Sequence, residues 1–511
     1  MNEELMQQLR SKATELLLRE EYKESIQVYS QFISLCQQQH LSNADEHELA
    51  KLRKSLCLAF SNRAEARSRL KDFYEAIVDC DQALEIENTH FKTLLCKAFS
   101  DIQNNGNSES LHGYLEICKK LEYQSRTGVF DLSDWVLNGF RGKLPEMAEY
   151  IGSIQINKSE YSGRGLFATK NMEAGTLLLV TKAIATGRGI MPELDEDSSQ
   201  SARLVMWKDF VDKVVDATNK CSKTQRLIST LSSGEDEESM EVPDINLFRP
   251  EAEEDFYMKA NPEMCKIMNI LDVNSLTEDA ISAKVLGKNS DYYGVGLWIL
   301  ASFINHSCLP NARRLHIGDH VLVYTSRDVR AGEEITFAYF DVLTPLKKRR
   351  EMCKTWGFHC NCKRCRFEEV FGCREELKEI GLTLEFGLDN GNMVFRLEDG
   401  MRKWMLKGKE KSYLRASFWT VYSEAFKSDK VMRKWGRRIP TTEVIADSII
   451  EAVGGDERLM KAAVEALRKN GAGGMMETEK AMKLARGVYG KVMKKQAMRA
   501  LLELCVQDQN H

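Results

Sequence analysis

The sequence predicts a multidomain α+β chain, with helical repeats in front, a β-rich centre split by a helical insertion, and a C-terminal α-helical domain. Three observations carry this reading. The first 125 residues hold little Pro or Gly and repeat their apolar positions at helical spacing. From Ile151 the texture changes: "GSIQINKSEYSGRGLFATKNMEAGTLLLVTKAIA" alternates, with β-branched residues and turn glycines. After Phe367 helical patterning returns, broken near "GLDNGN", "IPTTE", Gly454-Gly455 and "NGAGG". At 511 residues the chain exceeds what one core usually holds, so about two to four domains are expected.

In chain order the expected parts are a repeat region at 1–125, a connector at 126–150, the first part of the β fold at 151–187, a helical insertion with an acidic loop at 188–285, the second part of the β fold at 286–345, a cysteine-rich segment at 346–367, and a helical domain at 368–511. In the first part, "LREEYKESIQVYSQFISLC" (Leu18 to Cys36) aligns with "LKDFYEAIVDCDQALEIEN" (Leu70 to Asn88). The offset is one ~34-residue period plus half of another. Ala64, Leu70, Tyr74, Ala76 and Ala83 fit the small-and-large packing of a tetratricopeptide repeat, which the region resembles. Such helix pairs bury a face only by stacking, so a third unit is expected near "YLEICKKLEYQSR". A generic helical bundle is the plainer alternative. Some repeat domains of this kind clamp the C-terminal carboxylates of chaperones. Arg10, Asn62 and Lys92 match that clamp, but Thr14 and Cys96 replace two of its residues, so no strong clamp is expected.

Composition limits the partners. Hydrophobic residues make up 43% and charged residues 29%, a soluble globular balance, and a net charge of −4 excludes a generic polyanion binder. No direct nucleic-acid binding is expected. The charged start, "MNEELMQQLRSKATELLLREEYKES", has no apolar core of a secretory signal, and no stretch nears the ~18 apolar residues that span a bilayer. A nuclear or cytoplasmic protein follows, monomeric and with reduced thiols. The loop "SSGEDEESMEVPD" carries six acidic residues and is expected to be solvated or disordered.

Most of the fourteen cysteines are scattered and read as small core residues. Cys360, Cys362 and Cys365 differ, forming C-x-C-x-x-C. That spacing suits zinc, which in structural sites takes four ligands and is often held by thiolates alone. A fourth ligand must come from elsewhere: Cys308, Cys353, His359 and Cys373 are all open on sequence distance. Lys363 and Arg364 beside the knuckle would offset the charge of a four-thiolate site. The plain alternative is three chance cysteines in a helical linker.

Four blocks occur in order: "SGRGLFATKNMEAGTLL" from Ser162, "INHSCLPNA" from Ile304, "GEEITFAYFD" from Gly332 and "WGFHCNCKRC" from Trp356. Together they resemble the SET-domain protein lysine methyltransferases. The split layout is similar to the SET and MYND group, and the leading repeats make it most like the tetratricopeptide-repeat SET proteins of plants and fungi. The insertion holds only Cys221 and Cys265, so the MYND finger is expected to be absent. The resemblance implies small β-sheets with a knot-like crossing, S-adenosylmethionine as cofactor, and a protein or histone-tail lysine entering a narrow channel. A role in chromatin regulation would follow from a histone substrate.

Residue by residue, the resemblance places Gly163, Arg164 and Gly165 along the cofactor. Asn305 and the backbone of His306 would hydrogen-bond it, and Phe358 would lean on its adenine. Tyr339 is the expected catalytic tyrosine, also touching the cofactor, with Phe337 and Trp356 lining the lysine channel. Cys308 becomes the fourth ligand of a structural zinc, with Cys360, Cys362 and Cys365. The second tyrosine of several relatives falls at Thr344, which leaves mono-, di- and trimethylation open. "KKRR" (Lys347 to Arg350) reads as a solvated helix face or a nuclear signal. A scaffold with little activity, acting through its repeats, is the alternative function.

Overall fold

The computed structural model describes residues 2–39, 46–86, 90–105, 109–137, 144–160, 163–190, 196–234, 237–249, 264–278, 292–372, 374, 377–380, 390–454, 490–491, 494 and 496–497. Cys373, Cys505 and the "NGAGG" break lie outside them. The chain forms two compact units, Met1–Tyr123 and Gln124–His511. No helix among the described residues is long and apolar enough to cross a membrane.

The first unit is helical. Its helices are α1 (Asn2–Leu18), α2 (Tyr22–Gln39), α3 (Glu46–Arg69), α4 (Phe73–Ile86), α5 (Phe91–Asn105) and α6 (Glu109–Thr127), the last running past the unit's boundary. Each of the first four packs on the next in sequence. The aligned segments match bond for bond at their turns. Glu20 and Lys71 occupy equivalent places with φ of 63° and 64°. The following residues, Glu21 and Asp72, each donate their N–H across 2.9 Å, to the carbonyls of Leu16 and Arg67. Ala13, Ala64, Ala76 and Ala83 are fully buried, letting helices approach. Leu70 and Tyr74, expected to pack, are 40% and 67% exposed. Tyr74 lies beside Phe73, whose ring instead meets that of Phe99 edge-on at 6.1 Å. Asp79 is buried between Arg63 and Arg67, at 2.6 and 2.7 Å, which compensates its charge.

The second unit holds three small sheets. The first has order β1 (Tyr150–Ile151), β4 (Leu177–Lys182), β10 (His320–Thr325), β9 (Ala312–Ile317), all antiparallel. The second is β2 (Ile154–Lys158), β3 (Arg164–Ala168), β11 (Glu334–Phe337), β8 (Asn305–His306). The third is β5 (Thr186–Ile190), β7 (Tyr292–Gly296), β6 (Leu276–Thr277). The insertion therefore opens and closes on strands, and its helical part begins only at Glu196. Gly187 permits this: a Cβ there would lie 2.9 Å from the Cβ of Phe210, on the helix Glu196–Lys220. Phe210 and Val214 of that helix join Leu166, Leu179, Trp298 and Ile335 in one core.

A second core draws Trp419, Tyr422, Ile445 and Ile449 of the C-terminal helices together with Cys308, Leu309, Val342 and Leu343. Residues 390–454 therefore share their core with the cysteine segment, within the unit that also holds the β fold.

Candidate active site

The buried turn Ile299–Ser302 delivers the chain into β8. β8 then lies parallel to β11, Asn305 opposite Thr336 and His306 opposite Phe337. Polar side chains at this junction each find partners. Asn305 Nδ2 donates to Glu334 Oε1 at 2.8 Å and to the Arg164 carbonyl at 3.2 Å. Asn311 takes the place of a missing strand. Its Oδ1 accepts from Thr336 N–H at 2.8 Å, its Nδ2 donates to Glu334 O at 2.8 Å, and its own N–H donates to Thr336 O. Sequence reasoning missed Asn311, although it stands within the "INHSCLPNA" block.

His306 bridges two functions. Its Nδ1 accepts the Tyr339 N–H at 3.0 Å, so the ring proton sits on Nε2, 3.3 Å from Cys308 Sγ. Burial lowers the His306 pKa and keeps the ring neutral. Tyr339 Oη donates to the Ile304 carbonyl at 2.9 Å. Burial also raises the Tyr339 pKa, so the hydroxyl stays protonated and cannot serve as a base at neutral pH.

The aromatic residues expected at the channel gather around Tyr339. Its ring lies 5.6 Å from Phe337, 5.3 Å from Trp356 and 6.0 Å from Phe358. His306 adds a fourth contact at 5.3 Å and stacks on Phe340 at 4.5 Å. Phe337 is buried, whereas Trp356 is 41% exposed and forms the outer wall. Gly165 lies behind Asn305. A Cβ there would come within 2.4 Å of Glu334 Oε1 and 3.1 Å of Asn305 Nδ2, so only glycine allows the approach. Amide, carboxylate and aromatic faces together suit a ligand carrying ammonium and sulfonium charges, which is the donor set S-adenosylmethionine requires.

Arg164 behaves otherwise than expected. Its side chain forks onto Glu237 at 2.8 and 2.9 Å, with a further bond to Thr230 O. Only its carbonyl faces Asn305. Gly163 (φ 52°) packs on the same glutamate. The acidic loop, expected to be solvated, is thus pinned at Glu237 to β3, because a buried guanidinium needs a carboxylate partner.

The cysteines converge. Sulfurs of Cys308, Cys360 and Cys365 lie within 4.8 Å of one another, and Cys353 lies within the same limit of Cys308 and a His306 ring nitrogen. Cys362 caps the helix Lys363–Phe371, its sulfur accepting the Cys365 N–H at 3.5 Å. Hydrogen bonds from the thiols of Cys308, Cys362 and Cys365 lower the Cys360 pKa. His359 is exposed and faces Glu369, away from this cluster.

Buried guanidinium groups complete the site. Arg349 Nη1 donates to Cys365 Sγ at 3.3 Å, and Arg364 Nη1 donates to the Cys308 carbonyl at 3.1 Å. Both arginines pair with Glu368, and Ser417 links the three. "KKRR" is a solvated face only in its first half, where Lys347 and Lys348 are exposed. Arg349 is 1% exposed, and Arg350 reaches the Cys360 carbonyl at 2.8 Å. Sulfur donors, buried cations and helix-capping N–H groups fit a thiolate-bound zinc.

Residues 163–340 match the SET domain family. The central fold is a SET domain. The chain is 24% identical over 412 residues to a protein named methyltransferase from Gibberella zeae, covering 71% of this chain and 55% of that one. It is 28% identical over 185 residues to histone-lysine N-methyltransferase SMYD3 of Mus musculus, covering 36% and 39%. It is 38% identical over 73 residues to histone-lysine N-methyltransferase SET5 of Eremothecium gossypii, covering 14% and 15%. The matches thus span little more than half of these relatives at most. The SET domain supplies β3 at its start and Tyr339 near its end, while the cysteine knuckle follows it.

Proposed function

We propose that the chain is an S-adenosylmethionine-dependent protein lysine N-methyltransferase acting on a histone or another protein, with Tyr339 as its catalytic residue. The observation that carries this is the parallel ladder of Asn305 and His306 with β11, from whose end the chain brings Tyr339 back onto His306, inside a ring of Phe337, Trp356 and Phe358. When bound, S-adenosylmethionine supplies an electrophilic methyl on sulfur, which keeps the C–S electron pair as the lysine nitrogen forms the new N–C bond.

The chain's residues do the rest. Asn305, the His306 backbone, Gly163, Gly165 and Phe358 hold the cofactor. Phe337, Tyr339 and Trp356 wall a channel of low dielectric, which disfavours the ammonium and sends its proton to solvent. Tyr339 Oη, anchored on Ile304 O, orients the lysine nitrogen, and alignment supplies most of the rate. Cys308, Cys360, Cys362 and Cys365 would hold a structural zinc that ties "NHSC" to the end of the domain. The N-terminal unit resembles tetratricopeptide repeats in its matched turns and would recruit a protein partner.

Labelled S-adenosylmethionine and a protein extract test the proposal, with Tyr339→Phe as control. Methylated bands that vanish in the variant support it. Absence of calorimetric heat on adding cofactor would instead favour the scaffold reading.

A further inference from the structure

We infer that Arg314 is a positioning residue of the methyl-transfer site, setting a fixed positive charge in the channel wall that drives the proton from an incoming lysine. This rests on the methyltransferase reading above. Arg314 lies on β9, opposite Val323 of β10. Its guanidinium carbon stands 4.9 Å from the centroid of the Phe337 ring, and that ring is 5.6 Å from the ring of Tyr339. One face of Phe337 is therefore given to a protein cation. An aromatic wall usually welcomes ammonium through its face; this wall has part of that attraction already taken.

Among the described residues, three groups on neighbouring strands bring charge or a proton toward Tyr339. Arg314 comes from β9. Glu334 comes from β11, its carboxylate held by Asn305 Nδ2 at 2.8 Å and Ser159 Oγ at 3.0 Å. His306 comes from β8, with Nδ1 occupied by the Tyr339 N–H. Arg314 favours the ionised form of the Tyr339 phenol and Glu334 opposes it, both acting beside the larger effect of burial. The same field acts on a lysine with the sign that matters for reaction. A fixed cation destabilises the ammonium and leaves the neutral amine untouched. The proton goes to water, and the nitrogen lone pair is freed. At this range the shift is on the order of one pH unit at an effective dielectric of ~20.

Two measurements on the full chain test the inference. The first needs no substrate. Tyrosines are replaced by 3-fluorotyrosine, the Tyr339 fluorine signal is assigned with Tyr339→Phe, and its titration is followed by NMR. Arg314→Met should move that titration up by about half a unit or more, and Arg314→Lys should largely restore it. An unmoved titration overturns the inference, whatever the activity. The second measurement is the initial rate of labelled methyl transfer into a protein extract, against pH. Arg314→Met should move the acidic limb up by about one unit and lose about tenfold at low pH, with recovery at high pH. An equal loss at every pH means a structural role and overturns it as well. If the wild type transfers no methyl group, the methyltransferase reading falls, and with it the catalytic part of this inference. The fluorine titration still decides whether Arg314 sets the local potential.

Discussion

Arg349 and Cys365 meet inside the second core, guanidinium to sulfur, where neither reaches solvent. Burial would lower the arginine pKa, but Glu368 and the thiols of Cys308 and Cys365 outweigh it and raise it. The cation here offsets the negative charge of the thiolate cluster and satisfies Glu368. Arg349→Met should therefore cost about 1–3 kcal/mol, since it removes one of the two buried cations from Glu368 and leaves that carboxylate to Arg364 and Ser417. Urea unfolding measures this, and a loss under about 1 kcal/mol would contradict the assigned role.

Cys308→Ser should lower the zinc bound per chain and lower thermal stability with it. Metal analysis after dialysis against a weak chelator reads the first, and calorimetry the second. Zinc retained at wild-type affinity would show that Cys308 is no ligand and return Cys353 to consideration.

Tyr339→Phe removes the bond to Ile304 O while leaving the ring contacts in place. Methyl transfer should fall by about 10²-fold or more, from lost alignment. Cofactor affinity by calorimetry should change little. Equal losses in both would mean that the hydroxyl serves binding rather than reaction.

Glu237→Gln weakens the fork with Arg164. The buried guanidinium loses a full charge partner, so stability should drop by about 2 kcal/mol or more. Proteolysis should then cut faster in the segment around residues 229–241. Unchanged cutting would mean that the insertion is held by its apolar contacts alone.

His316 is fully buried against Trp298, with ring centroids 4.8 Å apart. Burial, with Arg314 and Arg188 nearby, lowers its pKa well below the ordinary 6.5. The unfolded chain therefore binds the proton that the folded one refuses. Stability is full above about pH 6.5 and falls as pH drops below it, by up to about 1.4 kcal/mol per pH unit. His316→Phe, which keeps a ring on Trp298, should flatten the melting temperature between about pH 6.5 and 5. His320 is shifted the same way by burial and keeps a residual slope.

Much of this was legible in the residues. The change from helical to alternating texture at Ile151 marks the start of the sheets, with β1 at Tyr150 and β2 at Ile154. Tyr339, Phe337, Trp356 and Phe358 gather because Phe337 ends β11, Tyr339 follows two residues later in a bend rather than on the expected strand face, and the other two come from one short segment. Other contacts were not legible, because they pair residues far apart in the chain. Nothing near Arg164 announces Glu237, and nothing near Arg349 announces Glu368 and Ser417. Charged residues read as solvated until tertiary packing supplies their partners. The strand opening of the insertion was hidden because "TGRGI" carries two glycines, which hold little strand signal.

The parallel pairing of β8 with β11 also dictates a timetable. Antiparallel neighbours can zip from a turn, but Asn305–His306 and Thr336–Phe337 lie on either side of the β9–β10 hairpin and cannot. Contacts so distant in sequence form late and slowly. Asn305 and His306 thus gain their partner strand only from residues that lie beyond the β9–β10 hairpin in the chain.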